Sequence, residues 1–149
     1  MQKLKIYLDN CCFNRPYDDQ TQERIYLDSL AKLHIQRMIV DGKIDFVWSF
    51  VLEYENGKNP HTLRKEAIRK FSYKCVNYVD ITNDKDIIKL AKDVIVSGLK
   101  AKDALHLACA IFSESGYFLT TDDRLLKFKT ENIRLLNPLQ FISEMEDNL

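Results

Sequence analysis

Along the chain, short apolar runs alternate with longer stretches of helical periodicity. Residues 3–8 (KLKIYL) form a β-prone run that ends on Asp9. The polar stretch 14–19 reads as a loop. A helix follows to about Val40, with Leu27, Leu30, Leu33 or His34, and Met38 near helical spacing. Asp41-Gly42 breaks it, and residues 44–48 (IDFVW) predict a second strand. Ser49 is positioned to cap a short helix running through Glu55. Asn56-Gly57 and Asn59-Pro60 then mark a turn.

Residues 61–71 carry Leu63, Ala67, Ile68 and Phe71 as the apolar face of a helix, and 75–81 (CVNYVDI) alternate like a strand. From about Asp84, Ile87, Leu90, Ala91, Val94, Ile95 and Gly98 make an amphipathic stripe. Residues 101–112 are apolar over most of a helix's circumference, which predicts burial. Strands at 117–120 and 133–136 and helices near 123–128 and 139–145 complete the pattern, the last helix introduced by Pro138. Strands alternating with helices predict an α/β protein, a parallel sheet covered on both faces. Without a repeat, a low-complexity segment or an internal linker, residues 1–149 are expected to form one domain.

Composition narrows the class. With 46% hydrophobic residues, four Gly and three Pro, the chain is neither disordered nor fibrous. No apolar run approaches the ~18 residues needed to span a bilayer, and the opening MQKLK is not that of a signal peptide. The cysteines at 11, 12, 75 and 109 contain no CxxC pair, and the histidines at 34, 61 and 106 lack zinc-finger spacing. Reduced thiols in a cytoplasmic protein without a membrane are the expectation. The 22 Lys+Arg balance 22 Asp+Glu, so the chain does not bind nucleic acid simply as a polycation. A nucleic-acid partner requires a local basic surface, a metal ion or a second protein.

The acids supply the candidate chemistry. In open α/β sheets, ligands bind beyond the carboxyl ends of the strands. Asp9 follows the first strand, Asp122 follows 117–120, and Glu53 and Glu55 follow 44–48 by about a helical turn. Asp103 lies near the start of the buried helix, where a carboxylate is costly unless it is paired or bound to metal. Two like charges about 5 Å apart repel by roughly 3 kcal/mol at an effective dielectric near 20. Four such groups brought together would take up protons, separate or collect a cation. Oxygen ligands without clustered His or Cys select Mg²⁺ or Mn²⁺, and such a site suits phosphodiester hydrolysis. Taken singly, each acid has a plainer reading: Asp9 as a turn cap, Asp122 or Asp123 as a helix cap, Glu53 and Glu55 as solvated charges, Asp103 as a dipole-stabilised first-turn residue.

In KIYLDNCCFNRP, SFVLEYENGKNP and KAKDALHLACAIFSESGYFLTTDDRLL, the chain resembles PIN-domain ribonucleases, the family that includes VapC-like toxin nucleases. The resemblance runs over nearly the whole length. It implies a three-layer α/β/α sandwich with a mostly parallel sheet of four to five strands, order 3-2-1-4-5. It also implies a Mg²⁺- or Mn²⁺-dependent endoribonuclease, with dimerisation usual. Asp9, Asp103 and Asp122 match the family's metal ligands. Its glutamate, acting through water, falls on Glu55, with Glu53 as rival; positions i and i+2 diverge on a helix. Cys11 stands where the family commonly has Ser, Thr or Asn, so either Asn10 takes over the hydrogen bonding or the surroundings of the ligands are altered; the resemblance puts Thr120 behind the ligands and His106 packed beside the site.

Between 58 and 74, six basic residues (Lys58, Arg64, Lys65, Arg69, Lys70, Lys74) meet one acid, Glu66. A solvated amphipathic helix is the plain reading. The functional one is an RNA-binding surface built from Arg64, Arg69 and Lys70, with Arg15 beside Asp9. Three functions stay open: an endoribonuclease, either a toxin with an antitoxin or a stand-alone enzyme; a catalytically weak PIN-like module that binds RNA or protein; and a phosphatase or receiver domain with a strand-end Asp. The last usually places further acids where this chain has Asn10 and Cys11.

Overall fold

A computed structural model of the chain describes residues 3–95 and 98–147. Five strands, β1 (Lys5–Leu8), β2 (Asp45–Ser49), β3 (Asn77–Val79), β4 (Tyr117–Leu119) and β5 (Arg134–Leu136), form one sheet in the order β3-β2-β1-β4-β5. Every pairing is parallel, with Tyr7 opposite Val47 on one side and Phe118 on the other. The expected order is met, and five strands rather than four take part. The central strands are buried on both faces, which is why they read as apolar runs: Ile6, Tyr7, Leu8, Phe46, Val47, Trp48, Phe118 and Leu119 are all core residues.

The helices are α1 (Asn10–Asn14), α2 (Glu23–Val40), α3 (Phe50–Gly57), α4 (Thr62–Ser72), α5 (Asp84–Ile95), α6 (Ala101–Phe112), α7 (Asp123–Leu126) and α8 (Pro138–Asp147). Parallel neighbours need crossovers, and the helices supply them: the chain runs outward from β1 through β2 and β3, then returns to the other side of β1 for β4 and β5. This gives the three-layer sandwich, with α5 packed on α6 and α2 on α8.

Local chemistry accounts for most boundaries. Ser49 leaves the end of β2 and accepts a hydrogen bond from the Leu52 amide, starting α3. Gly42, at φ 75°, makes the left-handed turn that ends α2 and leads into β2. Within 14–19, expected to be a loop, Arg15–Tyr17 is a single 3₁₀ turn, and the short α1 before it has no counterpart in the sequence pattern. Five residues are too few for a hydrophobic period to register.

Two faces differ from expectation. On α2 the inward side is Ala31, Ile35 and Ile39, with Asp28, Ser29 and Lys32, while Leu27, Leu30 and Leu33 are exposed. On α4, Ile68 and Phe71 are buried but Leu63 is exposed. On α5, Ile87 and Ala91 are buried as expected. Its extension toward Gly98 crosses residues 96 and 97, outside the described residues, as do the ends of the proposed domain at 1–2 and 148–149. Among the described residues no helix is long and apolar enough to cross a membrane.

Candidate functional site

Four elements converge at the carboxyl edge of the sheet. Asp9 ends β1, Glu55 lies on α3, Asp103 on the first turn of α6, and Asp122 caps α7. All four line a cleft of about 360 Å³, together with Asn10, Cys11 and Lys102.

Asp9 is nearly buried and its carboxylate is fixed from several sides. The Asn10 amide donates to Oδ1 at 2.8 Å, and the Thr120 hydroxyl donates to Oδ2 at 2.9 Å. The Cys11 thiol also reaches Oδ2, at 3.5 Å, and its sulfur accepts from the Thr121 amide at 3.3 Å. Cys11 therefore takes a place in the bonding around Asp9, beside Thr120. The side chain of Asn10 instead accepts from Asn14 Nδ2. Thr120 also accepts from the Asp122 amide at 3.1 Å, tying β4 to the start of α7.

The two glutamates separate clearly. Glu53 turns away from the cleft, accepting from the Trp48 indole at 2.9 Å, with Arg69 4.0 Å away. Glu55 faces the cleft, where Oε1 contacts His106 Nε2 and Oε2 pairs with Lys102 Nζ at 2.9 Å. Burial raises the Glu55 pKa, but His106 and Lys102 together outweigh it and hold the carboxyl below its usual range. Asp103 moves the other way. Partial burial, then the like charges of Asp9 and Asp122, hold its carboxyl above the usual range.

His106 is more closely engaged than a packing neighbour. Its Nε2 lies 3.9 Å from Asp9 Oδ1 as well as against Glu55, while Nδ1 meets the Tyr7 hydroxyl at 2.7 Å. Tyr7 in turn meets Ser49 Oγ at 2.7 Å, and burial pushes its phenol well above the ordinary range, so it stays protonated. One oxygen each of Asp9 and Glu55 and one nitrogen of His106 lie within 4.8 Å of one another. That donor set fits a single divalent cation, and its nitrogen suits Mn²⁺ as well as the oxygens suit Mg²⁺. Asp103 and Asp122 stand further round the same cleft.

Two contributors do not stand out in the sequence, Lys102 and Tyr7, while Cys11 stands out there only as a departure from the family's Ser, Thr or Asn. Tyr7 has a signal, since side chains two apart on a strand share a face and Tyr7 is two before Asp9. Lys102 has none, being one of many lysines. Tyr7→Phe would strip His106 Nδ1 and Ser49 of a buried partner. A loss of about 1–3 kcal/mol in unfolding free energy is expected by urea denaturation; unchanged stability would show that these hydrogen bonds carry no net weight.

The basic residues divide as well. Arg15 is held by Asp28 at 3.2 Å and Asp18 at 3.6 Å, so much of its charge is answered internally. Arg69 lies between Glu53 and Tyr73, and Lys70 is exposed. Arg64 stacks over Tyr17 beside the cleft. Asp123, next to the site acid, is clasped by Arg24 through two 2.7 Å bonds.

No family model and no curated protein matches the sequence. Among solved structures, the crystal structure of FitAcB from Neisseria gonorrhoeae is similar, with a TM-score of 0.61 at 15% identity over 89% of this chain and 97% of that one. Together with the sheet order, this makes the fold PIN-like.

Proposed function

We propose that this protein is a Mg²⁺- or Mn²⁺-dependent endoribonuclease that hydrolyses RNA phosphodiester bonds, acting in the cytoplasm as the toxin of a toxin–antitoxin pair. The observation that carries the reading is the convergence of Asp9, Glu55, Asp103 and Asp122 on one cleft of a PIN-like fold. When bound there, a divalent cation supplies an activated water and neutralises charge on the phosphate oxygens.

Asp9, Asp103 and Asp122 are the proposed ligands, with Glu55 acting directly or through water and His106 Nε2 as a further donor. Thr120 and Cys11 orient Asp9, and Tyr7 orients His106, which would hold the donor atoms of these two toward a cation. Lys102 neutralises Glu55 at the mouth of the cleft and is placed to meet phosphate oxygens. An antitoxin, or a second copy in a homodimer, is the proposed protein partner; the exposed leucines 27, 30 and 33 of α2 offer it an apolar surface.

The test is cleavage of RNA by the purified chain with Mn²⁺ or Mg²⁺. Internal cuts that disappear on chelation are expected. Equal cutting in excess EDTA would overturn the metal-dependent reading.

A further inference from the structure

Beside the carboxylate cleft runs a second one of about 280 Å³. The two share Asn10, Asn14 and Glu55, so a polymer lying in one continues into the other. The second cleft is also lined by two cations, Lys58 and Arg64, and by His61. The two cations differ from four other cations around the site. Arg15, Arg24, Arg69 and Lys102 each face a carboxylate. Lys58 and Arg64 make no ion pair among the described residues. Lys58 Nζ sits 4.3 Å from the centre of the Tyr54 ring, and the Arg64 guanidinium 4.7 Å from that of Tyr17. Arg64 Nε is buried without a hydrogen-bond partner.

Neutral amides separate the two cations from Glu55, which also lines the cleft. Asn59 donates to Asn14 at 3.2 Å, and Asn14 donates to the Asn10 carbonyl at 3.0 Å, fixing these amides in a row. Helix α4 starts here at His61 with no side-chain cap and no acid in its first turn, so its partial positive end adds to the two cations. Tyr54 and Tyr17, the rings that Lys58 and Arg64 lie over, are 64% and 46% exposed. Exposed rings stack with unpaired bases, whereas a duplex keeps its bases in its own stack.

We infer that the Lys58–His61–Arg64 cleft is a backbone subsite for single-stranded RNA, holding a phosphate adjacent to the one at the carboxylates. The inference rests on the ribonuclease reading for its substrate. The cations fix the strand's register, the amides contact the intervening sugar, and Tyr54 and Tyr17 take unpaired bases.

The test is fluorescence anisotropy of a labelled single-stranded RNA on the full chain in EDTA, where no cutting occurs, across a salt series. Lys58→Gln, Arg64→Gln and the double variant are compared with Lys89→Gln, an exposed α5 change of equal charge. Melting temperatures check that each folds; Lys58 is exposed, so its variant is the safeguard should Arg64→Gln destabilise. The double variant is expected to bind about tenfold or more weakly at low salt. Its salt slope should fall by about 0.7 for each phosphate that is no longer neutralised. An affinity and slope matching Lys89→Gln would overturn the subsite, as would duplex RNA binding as tightly as the single strand. Binding with this pattern but no metal-dependent cutting would leave the subsite standing and sink the ribonuclease reading. Cutting with binding indifferent to both residues would do the reverse.

Discussion

Replacing Lys32 by methionine is expected to stabilise the protein at neutral pH by about 2–3 kcal/mol, raising the melting temperature by several degrees. Lys32 is only 6% exposed on the inward side of α2. Its ammonium has no carboxylate partner among the described residues. It donates to Gln36 Oε1 at 2.6 Å and lies over Phe13 and Phe71 at 5.5 and 5.8 Å from the ring centres. Burial therefore pulls its pKa down to about 8, against about 10.4 for a free lysine. Because the folded pKa is the lower one, the unfolded chain binds the extra proton between those values, and stability from this group rises with pH across that window. Below about pH 8 the full penalty applies; above about 10.5 it is gone. The advantage of Lys32→Met should thus be constant near neutrality and shrink from about pH 8 to 10.5. Using the difference between the two proteins removes the opposing titrations of Cys109 and Tyr7, whose pKa values burial raises. A difference that does not vary with pH would show that the ammonium is solvated.

Lys32 also shows why the pattern along α2 misleads. The leucines at 27, 30 and 33 are the most visible apolar series on that helix, yet the sheet is met by Ala31, Ile35 and Ile39 with a lysine, an aspartate and a serine among them. Periodicity identifies a helix but not which of two mixed faces turns inward; that depends on what the neighbouring element offers. Asp28 is acceptable inside because Arg15 reaches it, and Arg15 comes from a 3₁₀ turn that the local sequence does not announce. By contrast, α6 is legible as a buried helix, since every position of 101–112 except Lys102, Asp103 and His106 is apolar or small. The strands are legible because β1, β2 and β4 are buried on both sides.

The candidate site follows the same division. Asp9, Asp103 and Asp122 are readable from their places at strand ends and in an apolar helix, because topology alone brings such positions to one edge. The choice between Glu53 and Glu55 is not readable. It turns on the indole of Trp48 taking Glu53 and on Lys102 and His106 taking Glu55, contacts across elements that spacing does not reveal. The engagement of His106 is hidden for the same reason. In sequence it is one polar residue in an apolar helix; in the fold its two nitrogens join Tyr7 at the sheet to Glu55 at the cleft.

Asp103→Asn is expected to abolish metal-dependent RNA cleavage, by about 10³-fold or more, while making the metal-free protein more stable. The two effects have one cause. Without a cation, partial burial first and then the charges of Asp9 and Asp122 raise the Asp103 pKa, so its carboxylate is costly in the folded state. A group charged with difficulty in the folded state lowers stability as pH rises through the carboxylate range, because the folded chain then holds the extra proton. Asparagine keeps the shape and removes the charge, so the melting temperature in EDTA should rise and lose that acid-side dependence. Manganese titration followed by calorimetry should show the opposite change, a loss of affinity. Asp9→Asn should also abolish cleavage, since the amide keeps an acceptor for the Asn10 N–H but supplies no charge for a cation. A residue that merely capped α6 would give a different signature: a lower melting temperature, with manganese affinity and cleavage intact. That outcome for Asp103→Asn would remove it from the site.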